Sequence, residues 1–164
     1  MLFRSPDFDI LVICTPNGFH VDHTLKALKK NKHVLCEKPL CFLPEEAQIM
    51  KAAALKVNRK IWVVKQNRFN PPVVAVKKMI AENQLGHIHS FQINCFWNRP
   101  ESYYHHSWRG TQSLDGGVLY TQFSHFIDLL YWFLGDVKDI LAIKRNYQHP
   151  TTEIEDCGHI IFEM

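Results

Sequence analysis

The sequence lacks a long apolar run, a paired cysteine motif and an excess of charge of either sign. Its longest apolar run extends only from residue 129 to 134, and no basic region precedes an apolar signal-peptide core. We therefore expect a cytoplasmic protein that does not enter a membrane. The five cysteines are an odd number and include no C-x-x-C pair, which argues against a disulfide framework and against a zinc site.

The net charge of +3 is small, and the basic and acidic residues are interspersed. The absence of a basic tail or patch argues against nucleic acid as a partner and leaves, at most, a mild preference for an anionic small molecule. The 46% hydrophobic content of these 164 residues is enough for one core or two small ones.

Short apolar runs alternate with amphipathic stretches as far as residue 69. We predict strands at residues 9–15, 33–36 and 61–65, the first of them buried on both faces, and helices after Gly18 and from Pro44. Right-handed crossovers make such strands parallel, so the pattern predicts an α/β fold. The unit corresponds to one βαβαβ half of a doubly wound Rossmann domain.

The periodicity changes beyond residue 69. Asn70 is positioned to cap a helix that begins at Pro71 and runs to Gly86. Residues 91–97 alternate like a strand with one apolar face, and further strands are predicted at 138–147 and 154–163, with a helix at 117–134 between them. We therefore expect residues 1–69 to form a partial Rossmann domain and residues 70–164 part of an α+β domain with a mainly antiparallel sheet.

Polar residues follow each of the predicted parallel strands, where ligands of doubly wound folds bind. These segments are residues 15–20, Glu37-Lys38-Pro39 and residues 66–69. Glu37 and Lys38 are unusual at a buried strand end, and a surface salt bridge is the alternative interpretation. Pro39 favours a site, because it restricts the backbone of Lys38 and so fixes its direction.

A polar stripe marks the otherwise apolar helix after Gly116-Gly117. At 100° per residue, Thr121, Ser124, His125 and Asp128 share one face, which either borders a ligand or is exposed to solvent. The glycine pair favours the ligand, since free N–H groups at a helix start suit an anion.

Two weaker signals lie before this helix. His105 and His106 are adjacent and have no carboxylate at a suitable spacing, so we expect no metal site. Arg109 beside Trp108 could equally bind a phosphate or carboxylate, or have a structural role.

Several motifs together resemble the glucose-fructose oxidoreductase and inositol dehydrogenase family (Gfo/Idh/MocA). They are CTPNGFH at 14–20, KHVLCEKPL at 32–40, QNRF at 66–69, Trp108-Arg109, and Asp115-Gly116-Gly117 with His125 and Asp128 downstream. Most of the family has Asp where this chain has Thr121. The stretches YTQFSHFIDLLYW and QNRFNPPV resemble the branch that oxidises C3 of UDP-N-acetylglucosaminuronic acid in O-antigen and related lipopolysaccharide biosynthesis.

The resemblance implies an NAD-dependent sugar dehydrogenase, with the choice between NAD and NADP open. Lys38 would be the catalytic acid/base and His125 its catalytic partner, held by Asp128. The cofactor would contact Thr15, Pro16, Asn17, His20, Glu37, Lys38, Gln66, Trp108 and Arg109. The nucleotide sugar would contact Lys38, Arg68, Asn70, Thr121, Gln122, Ser124, His125 and Asp128. The family also implies a homo-oligomer, a dimer or tetramer.

Two alternatives remain open, a non-catalytic regulator on the same fold and a structural remnant. The sequence contains no G-x-G-x-x-G, and it ends on an apolar run. Because two complete domains need roughly 250 to 300 residues, we expect a truncated chain that by itself binds NAD weakly and is inactive.

Overall fold

Three short parallel strands form the first sheet of the computed structural model, which describes residues 8–164. The elements are β1 (Ile10–Ile13), α1 (His20–Lys29), β2 (His33–Cys36), α2 (Pro44–Lys56) and β3 (Ile61–Val63). The strand order is β1-β2-β3, with Ile10 opposite His33 and Val34 opposite Ile61. The predicted βαβαβ unit is confirmed, apart from residues 1–7 of the predicted first domain, which lie outside the described residues.

The sheet is covered on one face. Successive right-handed crossovers in one direction place their helices on the same side, where α1 packs on β1 and β2, and α2 packs on α1. Ile13, Ala27, Val34 and Cys36 form the core there. On the other face Val12 is 55% exposed, so the prediction that β1 is buried on both faces is wrong.

Two of the helix starts follow from proline. Pro44 opens α2, and the Glu46 carboxylate turns back to accept the N–H groups of Phe42 and Leu43. Pro71 opens α3 (Pro71–Ala81), which ends before the predicted stop at Gly86. The Asn70 side chain makes no capping hydrogen bond, contrary to expectation.

The second sheet is an antiparallel hairpin. It contains β4 (Asp139–Arg145) and β5 (Cys157–Glu163), with Asp139 opposite Glu163, close to the predicted bounds. The helix predicted at 117–134 is broken into α4 (Val118–Thr121) and α5 (Ser124–Leu134). No helix among residues 8–164 is long and apolar enough to span a membrane.

Residues 91–97 are not a strand, contrary to the prediction from their alternation. Alternation gives a chain two different faces, but a strand exists only where its N–H and C=O groups pair with another strand. In the part of the chain that the structure describes, β4 and β5 pair only with each other. The segment therefore lies unpaired, with Phe96 94% exposed.

Candidate functional site

Lys38 joins the two units of the chain. It follows β2 in a turn whose Lys38–Pro39 peptide is cis, and the turn is held by a hydrogen bond from the Glu37 N–H to the carbonyl of Ile13. The Lys38 ammonium donates at 2.7 Å to the carbonyl of Thr121, the last residue of α4. A side chain at a strand end of the first sheet therefore meets the polar stripe of the second unit.

His125 lies one turn beyond Thr121 and is buried, with 7% of its surface exposed. No residue of the described part of the chain hydrogen-bonds to its ring. Burial lowers its pKa from the ordinary value of 6.5, and the nearby Lys38 ammonium lowers it further. The contact of Lys38 with the Thr121 carbonyl brings the ammonium to the part of the chain that carries His125.

Burial also lowers the pKa of Lys38 from its ordinary value of 10.5. The carboxylates of Glu37 and Asp115 oppose that change, while the ammonium of Lys65 reinforces it. A lysine with a lowered pKa spends more of its time as a neutral amine. Lys38 is therefore better able than an ordinary lysine to accept a proton from a ligand.

Asp128 does not hold the His125 imidazole, contrary to the expectation. It forms a two-point ion pair with Arg68, at 2.7 Å for both contacts, and Lys65 lies 3.5 Å away. The Arg68 guanidinium also stacks 4.5 Å from the Trp132 ring. Two residues predicted to contact substrate, Arg68 and Asp128, thus satisfy each other and attach the segment after β3 to α5.

The turn after β1 is held by buried hydrogen bonds. The Asn17 side-chain amide donates to the carbonyl of Asp115 at 2.9 Å. The fully buried His20 ring contacts the carbonyls of Pro39 at 2.6 Å and Thr15 at 2.9 Å. Both ring nitrogens of His20, predicted to contact a cofactor, are therefore engaged, and the ring connects the β1 turn to the turn of Lys38.

Gly18 permits a close approach of the two units at the same turn. Its N–H donates to the carbonyl of Leu114, and a Cβ there would lie 2.1 Å from the carbonyl oxygen of Ser113. Any side chain at this position would push the Asp115 segment away from the first sheet.

The start of α4 is occupied by the chain itself. The buried Glu155 carboxylate accepts the Leu119 N–H at 3.3 Å and pairs with Lys144 at 3.1 Å. A Cβ on Gly117 would lie 2.3 Å from a Glu155 oxygen. The N–H groups predicted to meet a ligand anion thus face a carboxylate of the protein, because a negative charge at a helix start is stabilised there.

A broad open cavity of about 1770 Å³ lies mainly within the second unit, and Asn17 and Lys38 of the first unit also line it. The predicted residues that line it are Asn17, Lys38, Trp108, Arg109, Thr121 and Gln122. Those outside its lining are Thr15, Pro16, His20, Glu37, Gln66, Arg68, Asn70, Ser124, His125 and Asp128. Of these, His125 is coupled to the cavity through Lys38, and Gln66 and Asn70 are exposed.

Sequence reasoning missed four charged residues of the site. Asp115 and Lys65 act electrostatically on Lys38, Glu155 covers the start of α4, and Arg99 lines the cavity. Asp115 lies in a quoted motif, so its position before two glycines was an available signal. The other three have no distinguishing local pattern, since only the fold brings Glu155 and Arg99 to the cavity and Lys65 near Lys38.

The donors at the cavity fit a dinucleotide. Asn17 and Lys38, which follow β1 and β2, line the cavity with an amide and an ammonium group, and Trp108 and Arg109 line the same cavity with an indole and a guanidinium group. Such donors suit phosphate and ribose oxygens, and indole offers a flat surface for a ring.

Two family models match the chain. The model for the oxidoreductase family with an NAD-binding Rossmann fold (GFO_IDH_MocA) matches residues 1–65, and the GFO/IDH/MocA C-terminal domain model matches residues 73–164. The scyllo-inositol 2-dehydrogenase (NADP(+)) IolW of Bacillus subtilis is 31% identical over 98% of this chain and 44% of its own length. The glucose-6-phosphate 3-dehydrogenase of that organism is 34% identical over 87% of this chain and 42% of its length.

Two solved structures are also similar. The WlbA dehydrogenase of Chromobacterium violaceum, in complex with NADH and UDP-GlcNAcA, superimposes with a TM-score of 0.94 at 34% identity. WlbA of Bordetella pertussis, with the same two ligands, gives 0.93 at 34% identity. The matches cover 99% and 98% of this chain but 47% and 46% of those chains, so the chain spans about half the length of its relatives.

Proposed function

The chain belongs to the Gfo/Idh/MocA family of oxidoreductases, and we propose that it serves the NAD-dependent oxidation of a sugar hydroxyl, with Lys38 as the acid/base. One observation carries this proposal. The Lys38 ammonium, with its lowered pKa, lies against the Thr121 carbonyl beside the buried His125 and opens on the cavity. A surface salt bridge, the alternative interpretation of this lysine, explains neither the burial nor the contact across the two units.

The proton chemistry follows from these two side chains. In its neutral form Lys38 accepts the hydroxyl proton as the carbon is oxidised, and it returns the proton in the reverse direction. His125, neutral because burial and the Lys38 charge lower its pKa, hydrogen-bonds to the same hydroxyl and orients it. NAD, when bound, supplies the hydride-accepting chemistry. Asn17, Trp108 and Arg109 are the residues we expect to hold it.

We further propose that the substrate is a nucleotide sugar of the UDP-N-acetylglucosaminuronic acid type, oxidised at C3 in cell-surface polysaccharide synthesis. The two WlbA structures with UDP-GlcNAcA support this choice. Thr121, in place of the Asp that most of the family has, is compatible with this choice. Its side-chain hydroxyl donates to the Gly117 carbonyl, and its own carbonyl accepts a hydrogen bond from the Lys38 ammonium. Thr121 therefore acts on Lys38 through its backbone.

The test is turnover of UDP-N-acetylglucosaminuronic acid with NAD at a concentration high enough to offset weak binding. Because we expect the chain by itself to be inactive at ordinary NAD concentrations, absorbance of the reduced nicotinamide at saturating NAD and a ketone at C3 detected by NMR would support the proposal. Ligand binding without turnover even at saturating NAD would favour the regulator over the enzyme. A calorimetric NAD titration checks the expected weak affinity, which micromolar binding would contradict.

We also propose that the chain self-associates through its β4–β5 hairpin. One face of this hairpin exposes Leu141, Ile143 and Ile161 by 54–66%, and apolar patches of this kind mark contact surfaces. Sedimentation of the wild type and of Leu141→Lys tests the proposal. A monomeric wild type at every concentration would contradict it.

A further inference from the structure

Two arginines share one aromatic ring at the cavity. The Arg99 and Arg109 guanidinium carbons each lie 4.7 Å from the centre of the Tyr103 ring. Arg99 also stacks 4.5 Å from Trp97, and Arg109 lies 5.0 Å from Trp108. All five side chains line the same cavity as Lys38.

Neither arginine has a carboxylate partner within the described part of the chain. The ion pairs there involve other cations. Among the described residues, the side chain of Arg109 hydrogen-bonds only to the Ser107 hydroxyl, at 3.3 Å. Asp115 forms no ion pair with Arg109, although the Arg109 charge lowers the pKa of Asp115 while burial raises it. Among the described residues, two permanent cations thus share one ring without a carboxylate partner, and most of their N–H donors have no protein acceptor there.

The other carboxylates that line the cavity are committed elsewhere or lie away from the arginines. Glu155 covers α4 and pairs with Lys144, and Asp156 accepts the N–H groups of Tyr147 and Gln148 and contacts His149. Burial works against ionisation of Asp156, but these donors lower its pKa overall, so it stays charged and bound to them.

Buried contacts fix the backbone that carries Arg99. The His149 ring, 6% exposed, contacts the Arg99 carbonyl through Nε2 and the Asp156 carboxylate through Nδ1, both at 2.9 Å. The Arg109 N–H donates to the Ser107 hydroxyl at 3.2 Å. The two guanidinium groups are therefore held in place before any ligand arrives, which reduces the entropy cost of binding.

We propose that Arg99 and Arg109, stacked on Tyr103, form a diphosphate-binding site on the cavity wall. Arginine binds phosphate oxygens through two parallel N–H bonds, and stacking on a ring fixes the plane of that fork. Because both guanidinium carbons lie 4.7 Å from one ring centre, they are no more than twice that distance apart. Such a pair suits two linked phosphates better than a single carboxylate.

The diphosphate belongs either to the nucleotide sugar or to the dinucleotide, and this choice rests on the proposed function. The existence of the site is independent of the proposed function, because binding of inorganic pyrophosphate can be measured without turnover. A failure of the oxidation assay would thus leave the binding result standing, and a failure of pyrophosphate binding would leave the roles of Lys38 and His125 untouched.

The experiment is a calorimetric titration of the full 164-residue chain with inorganic pyrophosphate, UDP and NAD. We expect Arg99→Gln and Arg109→Gln each to weaken pyrophosphate binding by about tenfold or more, since each removes charge-assisted hydrogen bonds. Arg145→Gln is the matched control, because this exposed β4 arginine bonds only to the adjacent Lys144 carbonyl. Its affinity should equal that of the wild type.

The other probes identify the source of the diphosphate. A larger loss for UDP than for NAD assigns the site to the nucleotide sugar, and the reverse assigns it to the dinucleotide. Arg99→Lys, which keeps the charge without the planar fork, should lose less affinity than Arg99→Gln, and thermal melts verify that every variant is folded. The proposal is overturned if the wild type fails to bind pyrophosphate, or if both Gln variants bind it as tightly as Arg145→Gln.

Discussion

The Lys38 part of the cavity and the Arg99–Arg109 part carry the same sign of charge but differ in how that charge is kept. Burial and the Lys65 ammonium lower the pKa of Lys38, so its charge can be given up. The arginines stack on aromatic rings, and a guanidinium group is a permanent cation. The difference suggests that the first part performs proton transfer while the second only binds.

The two parts also differ in how they are supported. Lys38 is held by contacts between the two units, namely the Thr121 carbonyl and the His20 ring beneath its turn. Arg99 is held inside the second unit by His149. Changes around Lys38 should therefore affect catalysis and stability together, whereas changes at the arginines should affect affinity alone.

The largest expected effect is that of Lys38→Met. Removing the acid/base should lower the rate of sugar oxidation by about 10²–10⁴-fold, and the loss of the contact with the Thr121 carbonyl should also lower the melting temperature. Steady-state assays with the nucleotide sugar and NAD measure the rate, and Lys51→Met on the exposed side of α2 is the control. A loss of less than a few-fold would remove Lys38 from the chemistry.

His20→Leu should be the most destabilising change near Lys38. It removes the contacts of the ring with the carbonyls of Pro39 and Thr15. Since a neutral imidazole has one N–H to donate, we expect a cost of about 1–3 kcal/mol of unfolding free energy. Urea unfolding measures this, with His105→Leu, at a side chain 56% exposed, as the control. Equal stability of the two variants would show that the ring does not hold the two turns together.

Lys65→Met and Asp115→Asn should shift the pH dependence of oxidation in opposite directions. The Lys65 charge lowers the pKa of Lys38, so its removal should move the rate profile to higher pH. The Asp115 charge raises that pKa, so its removal should move the profile to lower pH. Asp139→Asn on exposed β4 is the control for Asp115→Asn. Shifts of the same sign in both variants would contradict the electrostatic account.

The smallest expected effect concerns His125 and stability. The pKa of His125 lies below 6.5 in the folded chain. When the pH falls below 6.5, His125 therefore takes up a proton in the unfolded chain before it does so in the folded chain. The unfolding free energy of the wild type should therefore decrease below pH 6.5, and His125→Gln should lose this part of the decrease. Melts at several pH values measure the difference, and parallel curves would show that His125 is not buried as described.

The parallel unit was predictable because its signals are local. Apolar runs, Pro44 and the basic helix end before β2 gave the strands and helices nearly residue by residue. The strand predicted at residues 91–97 failed because a strand depends on pairing with distant residues, which no local pattern specifies. The single helix predicted at residues 117–134 was also wrong, because it is broken between α4 and α5. An apolar stretch predicts one helix whether or not the helix is interrupted.

The site was predictable only in part. Motif resemblance brought Lys38 and His125 together, and the contact with Thr121 agrees with that pairing. Arg68, Asp128 and His20 carry the same polar groups as true ligand contacts, but in the structure they bind the protein itself. A sequence shows which groups are available and leaves open which of them are already satisfied.

The sequence by itself determined the parallel βαβαβ order, the positions of β4 and β5, and the membership of the family, because these follow from periodicity and motifs along the chain. The tertiary structure alone decided that Glu155 fills the start of α4 and that Arg68 neutralises Asp128. It also decided that Arg99 and Arg109 share one ring with no carboxylate partner in the part of the chain that the structure describes. The physical reason is that hydrogen bonding and charge neutralisation depend on distance in space, and residues far apart in the chain share no local pattern that reveals it.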